Sequence, residues 1–143
     1  SRRLSIMVAH GTIAFDTLTT SDQVNTGTEK SIDTSYIFNG VTKAWAMNEN
    51  TSSAFTTHDS FNISGETDEA NGQTTFAINN DMGNANYSIV TGGGASSSQR
   101  DRTVVVRYDV TATGSYRLDG YDQSSGSDIG MNALYSAIFG DLA

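Results

Sequence analysis

The chain has 143 residues, 16 acidic against 8 basic side chains for a formal net charge of -8, a hydrophobic fraction of 36% and no cysteine. That length allows one domain with a modest core, the acidity argues against binding a nucleic-acid backbone, which needs clustered Lys and Arg, and without cysteine there are no disulfides and no thiolate metal sites. Apolar content below the roughly 45–50% of ordinary globular chains points to thin sheets whose second face is covered by a partner chain, so self-association is expected.

From Ser1 to about Ser35, short apolar pairs are broken by Thr, Ser, Asp and Gly. Residues 1–35 therefore read as an extended N-terminal arm, and residues 36–143 as a β domain. Ile13, Phe15 and Leu18 are too sparse to build a core and are the arm's expected anchoring contacts with other chains. The apolar run from Leu4 to Ala9 is shorter than a signal-peptide core of roughly 7–15 residues or a membrane span of ~20, so no membrane insertion is expected.

In YIFNGVTKAWAMNE, Asn39-Gly40 marks a turn and Val41 to Met47 reads as a strand with Trp45 as a buried anchor. Further on, Asn71-Gly72 suits a type I′ turn joining two strands. Pairing Ala70 with Gln73 then sets Thr67 opposite Phe76 and Gly65 opposite Ile78. Phe61, Ile63, Phe76 and Ile78 share one face in that register, and Glu66, Asp68 and Thr75 the other.

A strand from Asn86 to Val90 runs into TGGGASSSQRD, a Gly/Ser loop. Next, TVVVRYDV and YRLDGYDQ flank a loop over Thr111 to Ser115. That spacing aligns Val106, Tyr108 and Val110 with Tyr116 and Leu118, and sets Asp109 opposite Arg117 and Arg107 opposite Asp119. In the tail, Met131, Ala133, Tyr135, Ala137 and Phe139 alternate like a strand, while Leu134 and Ile138 are spaced like a helix face. A closing strand is favoured, because the preceding segments read as β and no convincing helix N-cap precedes it. The fold expected is all-β, an antiparallel β-sandwich or knob with an extended arm.

Chemistry for catalysis is sparse. His58-Asp59-Ser60 cannot converge as a triad, since neighbours in a strand point to opposite faces. No carboxylate pair flanks an evident groove. The acidic stretches Glu66 to Glu69 and Asp119 to Asp128 match no EF-hand spacing. Asn50, Asn62 and Asn86 begin Asn-x-Ser sequons that are read as incidental. The expectation is a non-enzyme without metal or cofactor. A bound glycan would meet an exposed aromatic flanked by polar groups, and Tyr121 with Arg117, Asp119 and Gln123 on the predicted outward face forms the candidate receptor-binding set.

GTIAFDTLTTSD, VTKAWAMN, DSFNISGETDEANGQTTFAINNDMGNANYSIV and SAIFGD follow one another along the chain. Their order resembles the short tail-fibre-like virion proteins of tailed bacteriophages, of the marine and cyanophage type. The chain departs from them in having Gly83 after Met82, where the family often has Pro, and in the polar connection that follows Trp45. The resemblance implies an all-β homotrimer on the tail or head surface of the virion. It also implies an arm anchored to other virion proteins and a β domain that contributes non-catalytically to attachment, through a host surface glycan or protein. A capsid head fibre or decoration protein is the first alternative, and a cellular carbohydrate-binding β module the second.

Overall fold

The computed structural model describes residues 17–19, 31–94 and 101–143, in two units divided after Phe38. In the first, β1 (Thr17–Thr19) pairs antiparallel with β2 (Ser31–Asp33), setting Leu18 opposite Ile32. Within the segment expected as an extended arm, Leu18 thus lies in a short two-stranded pairing; Ile13 and Phe15 lie outside the described residues. Asp33 Oδ1 accepts the Ser35 N–H at 2.8 Å, satisfying a free donor at the start of α1 (Thr34–Gly40). Asn39-Gly40, expected as a turn, is thus the end of this helix.

The second unit is built from β3 (Ala44–Thr51), β4 (Ala54–Phe61), β5 (Ile63–Ala70), β6 (Gln73–Ile78), β7 (Ser88–Gly94), β8 (Arg102–Val106), β9 (Ser115–Asp122), β10 (Ser127–Asp128) and β11 (Met131–Phe139). One sheet has the order β4-β3-β11-β7. In the other, β9 pairs with β6 and β10 along one edge and with β8 along the opposite edge, while β5 closes the far side of β6. Every pairing is antiparallel. The chain passes from the first sheet to the second at Asn62, which takes φ 56°, a left-handed conformation that Asn tolerates better than most residues. Its amide fixes that corner by donating to Lys43 O at 3.0 Å and accepting the Asn80 N–H at 2.9 Å.

Alternation decides which side chains fill the interior. Ala44 and Ala46 from β3, Phe76 and Ile78 from β6, Tyr116 and Leu118 from β9, and Met131, Leu134 and Ile138 from β11 form one buried cluster with Met82. Phe76 and Tyr116 are cross-strand partners whose rings stack with centroids 5.0 Å apart. The Tyr116 hydroxyl meets Ser136 Oγ of the other sheet at 2.7 Å, and burial pushes its pKa up. Tyr87, whose hydroxyl reaches Ala112 O and Ser115 O at 2.9 Å, is pushed up to about 12 by burial.

Four expectations need correction. The strand around Trp45 begins at Ala44, not Val41, and its parity sends the two alanines inward, so Trp45 lies on the outer face opposite Phe61. Phe61 belongs to β4 and does not share the hairpin's buried face. At Asn71-Gly72, Ala70 does pair with Gln73, but of the two turn residues only Gly72 has positive φ, +80°, a pattern that fits type II and not type I′. A turn of that hand splays a hairpin, and a bulge at Glu69, a device that adds right-handed twist, follows directly in the ladder. The bulge shifts the register by one residue. Thr67 thus meets Thr75, Gly65 meets Ala77, Glu66 comes opposite Phe76 and Asp68 opposite Thr74.

The third correction is β8, which ends at Val106 with Val106 opposite Leu118, two residues from the expected register. A 3-10 turn, Tyr108–Val110, replaces the rest of that strand. The fourth concerns β11, which is the expected closing strand but carries a bulge between Met131 and Leu134. That bulge reconciles its two periodicities: Leu134, Ser136 and Ile138 turn inward, and Tyr135 faces out.

Asn50 spans the two sheets. It is fully buried, and its Nδ2 lies 3.0–3.1 Å from Asp68 Oδ1, Ala70 O, Gln73 O and Thr74 Oγ1. Its Oδ1 accepts the Gly72 N–H at 2.9 Å. The orientation is unambiguous, since a flipped amide would turn its oxygen toward four acceptors. Gly72 has no room for a side chain, because a Cβ would lie 2.0 Å from Ile129 O. Replacing Asn50 by Ala removes the partner of the Gly72 N–H and the bonds to the Ala70 and Gln73 carbonyls across the sheets, and chemical denaturation is expected to show a loss of about 2–4 kcal/mol.

Candidate functional site

The outward face of the sheet containing β9 is defined by alternation. Tyr116, Leu118 and Gly120 point inward, leaving Arg117, Asp119 and Tyr121 on the other side. Gly120 allows β11 to pass close beneath, since a Cβ there would lie 2.3 Å from Met131 Cγ. Across the ladder, Asp119 has Gln73 on one side and Val105 on the other, and Tyr121 lies between Asp128 and Thr103.

Immediately beyond the β8 ladder, the Arg107 N–H donates to Arg117 O at 3.0 Å, which places two cationic side chains side by side. Carboxylates relieve that opposition. Asp119 accepts Arg117 Nε at 2.8 Å on Oδ1 and Arg107 Nη1 at 3.1 Å on Oδ2. Asp109, folded back by the 3-10 turn, takes Arg107 Nε and Nη2 on its two oxygens, both at 3.1 Å. Arg117 Nη2 also donates to Gln73 Oε1, and Gln73 Nε2 donates to Asp128 Oδ2. The result is a continuous row from Asp109 through Arg107, Asp119, Arg117 and Gln73 to Asp128.

Asp119 is the interior member of the row, only 3% exposed, and is held there by the paired guanidiniums. The hydrogen bonds from Arg107 hold the exposed Asp109 carboxyl below the ordinary carboxylate range, and the same bonds raise the pKa of Arg107. A cavity of about 310 Å³ opens beside the row, walled by Val105, Arg107, Asp119, Tyr121 and Asp128. Of the five N–H groups of Arg107, three are engaged within the row, so two remain for a ligand. An aromatic ring on a mainly apolar wall, with spare donors and an exposed carboxylate at its margin, suits a ligand that stacks on the ring and hydrogen-bonds at its edge, as a sugar does.

Of the residues predicted for binding, Arg117, Asp119 and Tyr121 lie on this face, with Asp119 bonded to Arg117 and sharing the cavity wall with Tyr121. Gln123 does not join them. It follows the end of β9, in the turn toward β10, where its N–H donates to Asp101 O at 3.1 Å. Gln73 and Asp128 were missed because they reach the face from other strands, far away in sequence. Arg107 was legible as a partner of Asp119, although the contact is made diagonally and not by direct opposition. His58 stands 3.8 Å from Glu49 on the other sheet. Among the described residues no cluster of three or more His, Asp or Glu side chains could hold a metal ion, and no helix is long and apolar enough to cross a membrane.

Comparison with protein-family models, curated proteins and solved structures finds no match to this chain.

Removing the central carboxylate tests the row. Asp119→Ala leaves Arg107 and Arg117 facing each other, and urea denaturation is expected to show a loss of about 2–3 kcal/mol, less than for a fully buried pair because Arg107 keeps contact with water. A loss no greater than that of an exposed surface pair would contradict the role assigned to Asp119.

Proposed function

We propose that this chain is a non-catalytic, fibre-like virion protein whose β domain contributes to host attachment by holding a surface glycan against the outer face of β9. The observation that carries the reading is the cavity in which the Tyr121 ring stands beside the Arg107–Asp119 pair and Asp128. Fixed, mutually bonded side chains present donors and acceptors without the entropy loss of ordering them on binding. Resemblance to short tail-fibre-like proteins supplies the biological setting: self-association as a homotrimer, and an arm with Ile13, Phe15 and Leu18 that anchors to other virion proteins. A capsid head fibre or decoration protein is the second reading. In its favour stands the apolar outer face of the β4-β3-β11-β7 sheet, a surface suited to assembly.

Glycan arrays and host-cell adhesion, read with fluorescently labelled protein, test the leading reading. Tyr121→Ala and Asp128→Ala are expected to lower apparent affinity at least tenfold each, with circular dichroism and solution mass unchanged. Equal binding by wild type and both variants would move recognition elsewhere, and failure of wild type to adhere to any glycan or cell would remove the attachment role.

A further inference from the structure

The outer face of the β4-β3-β11-β7 sheet carries a row of apolar side chains that crosses all its strands in register. Phe61 is opposite Trp45, Trp45 opposite Ala137, and Ala137 opposite Val90. In the next outward row, Met47 is opposite Tyr135 and Tyr135 opposite Gly92. Phe61 is 54% exposed, Trp45 36%, Val90 57% and Tyr135 43%. Neither the first row nor the Met47–Tyr135–Gly92 positions hold a charged residue; the nearest outward charge is Asp59, opposite Met47 on the edge strand β4.

We infer that this face is covered by another copy of the same chain. Three observations select that occupant. The first is area. Four strands spaced ~4.8 Å apart, with about eight residues rising ~3.3 Å each, give a footprint on the order of 500 Å² before side-chain relief. The face alone therefore supplies more than half of the ~800 Å² that one partner brings to a standard interface. Its exposed aromatics and Val90, at full side-chain areas of roughly 150–250 Å², leave on the order of 350 Å² of apolar surface in water.

The second observation is shape. Bulk falls on the β4-β3 half of the first row, in Phe61 and Trp45, and small groups on the β11-β7 half, in Ala137 and Val90. The large half of that row thus fits the small half of the same row on its copy, whether the contact closes as a pair or as a ring. The third is charge. With a net charge of -8, two copies repel over most of their surface, and the uncharged Phe61–Trp45–Ala137–Val90 row, with Asp59 beside it only on the edge strand β4, is where they can approach. The inference deepens the self-association in the proposed function by naming its surface, and it does not depend on the glycan site.

The cysteine-free chain allows a direct test. Within one chain, Phe61 and Val90 stand on the two edge strands, three strand spacings or ~14 Å apart, too far for a disulfide. A Phe61→Cys, Val90→Cys double variant of the full chain is therefore expected to form interchain disulfides on mild oxidation, visible on a non-reducing gel. In parallel, light scattering is expected to give wild type a multiple of 15.2 kDa. Trp45→Ser with Phe61→Ser should reduce this to a single chain with unchanged circular dichroism, since neither side chain is in the core. An oligomer whose mass these substitutions do not move, together with no crosslinking, would overturn the surface while leaving self-association intact. A monomeric wild type would overturn the inference outright, and adhesion of that monomer to host cells would leave the attachment reading standing.

Discussion

The buried amide of Asn50 is the constraint on which the rest of the β domain depends. It sits on β3 in one sheet, yet its hydrogen bonds go to Asp68, Ala70, Gly72, Gln73 and Thr74, the turn and flanks of the hairpin in the other. Sheets packed only by Ala, Ile and Leu can slide over one another at modest cost. An amide paired in both senses has one low-energy position, because a shift in either direction leaves buried donors or acceptors without partners. Thr74 extends the same polar seam by donating to Asn48 Oδ1 at 3.1 Å. The small interior of this polar chain thus uses hydrogen bonds for specificity where a larger core would rely on shape.

That constraint reaches the candidate site through one residue. Gln73 gives its carbonyl to Asn50 on the inner side, and on the outer side its amide links Arg117 to Asp128. Gly72 completes the connection, with its N–H on Asn50 and its carbonyl accepting the Gly120 N–H at 2.8 Å. The turn is therefore held from both sheets, and the position of the Arg107–Asp119–Arg117 row follows from it. The two outer faces of the sandwich differ in character. One carries fixed charges beside a cavity walled by Val105 and Tyr121. The other carries an uncharged row of aromatic and aliphatic side chains, suited to burial against protein.

Much of the architecture was legible because strand alternation and turn chemistry act locally. That β5 and β6 form a hairpin at Asn71-Gly72, that β8 and β9 pair, and that Met131–Phe139 closes as a strand could be read in that way, as could the outward placement of Arg117, Asp119 and Tyr121; the turn type of the first hairpin and the register of both could not. What escaped were the bulges, since one extra residue at Glu69 or beside Ala133 leaves no mark in local composition yet moves every later pair. The expected pairing set each arginine opposite an aspartate and so kept Arg107 away from Arg117. The structure places the two side by side because Asp119 lies between the two guanidiniums and Asp109 returns through a 3-10 turn, contacts that emerge only in three dimensions. Trp45 was read as core for its size, but its parity with two inward alanines placed it outside. Asn50 drew attention only as a sequon, because nothing in a single strand reveals what lies across the sandwich.

Native-state hydrogen exchange at the Gly72 amide would test the role of Asn50 most directly. Gly72 is a turn residue, and a turn held only by its own strands exchanges by local fraying. If Asn50 locks the turn between the sheets, the Gly72 amide will exchange with the same opening free energy as the amides of Phe76 and Tyr116, by global unfolding. Exchange as fast as at Ser124 and Ser125, in the exposed turn after β9, would show that the turn opens independently and contradict the account.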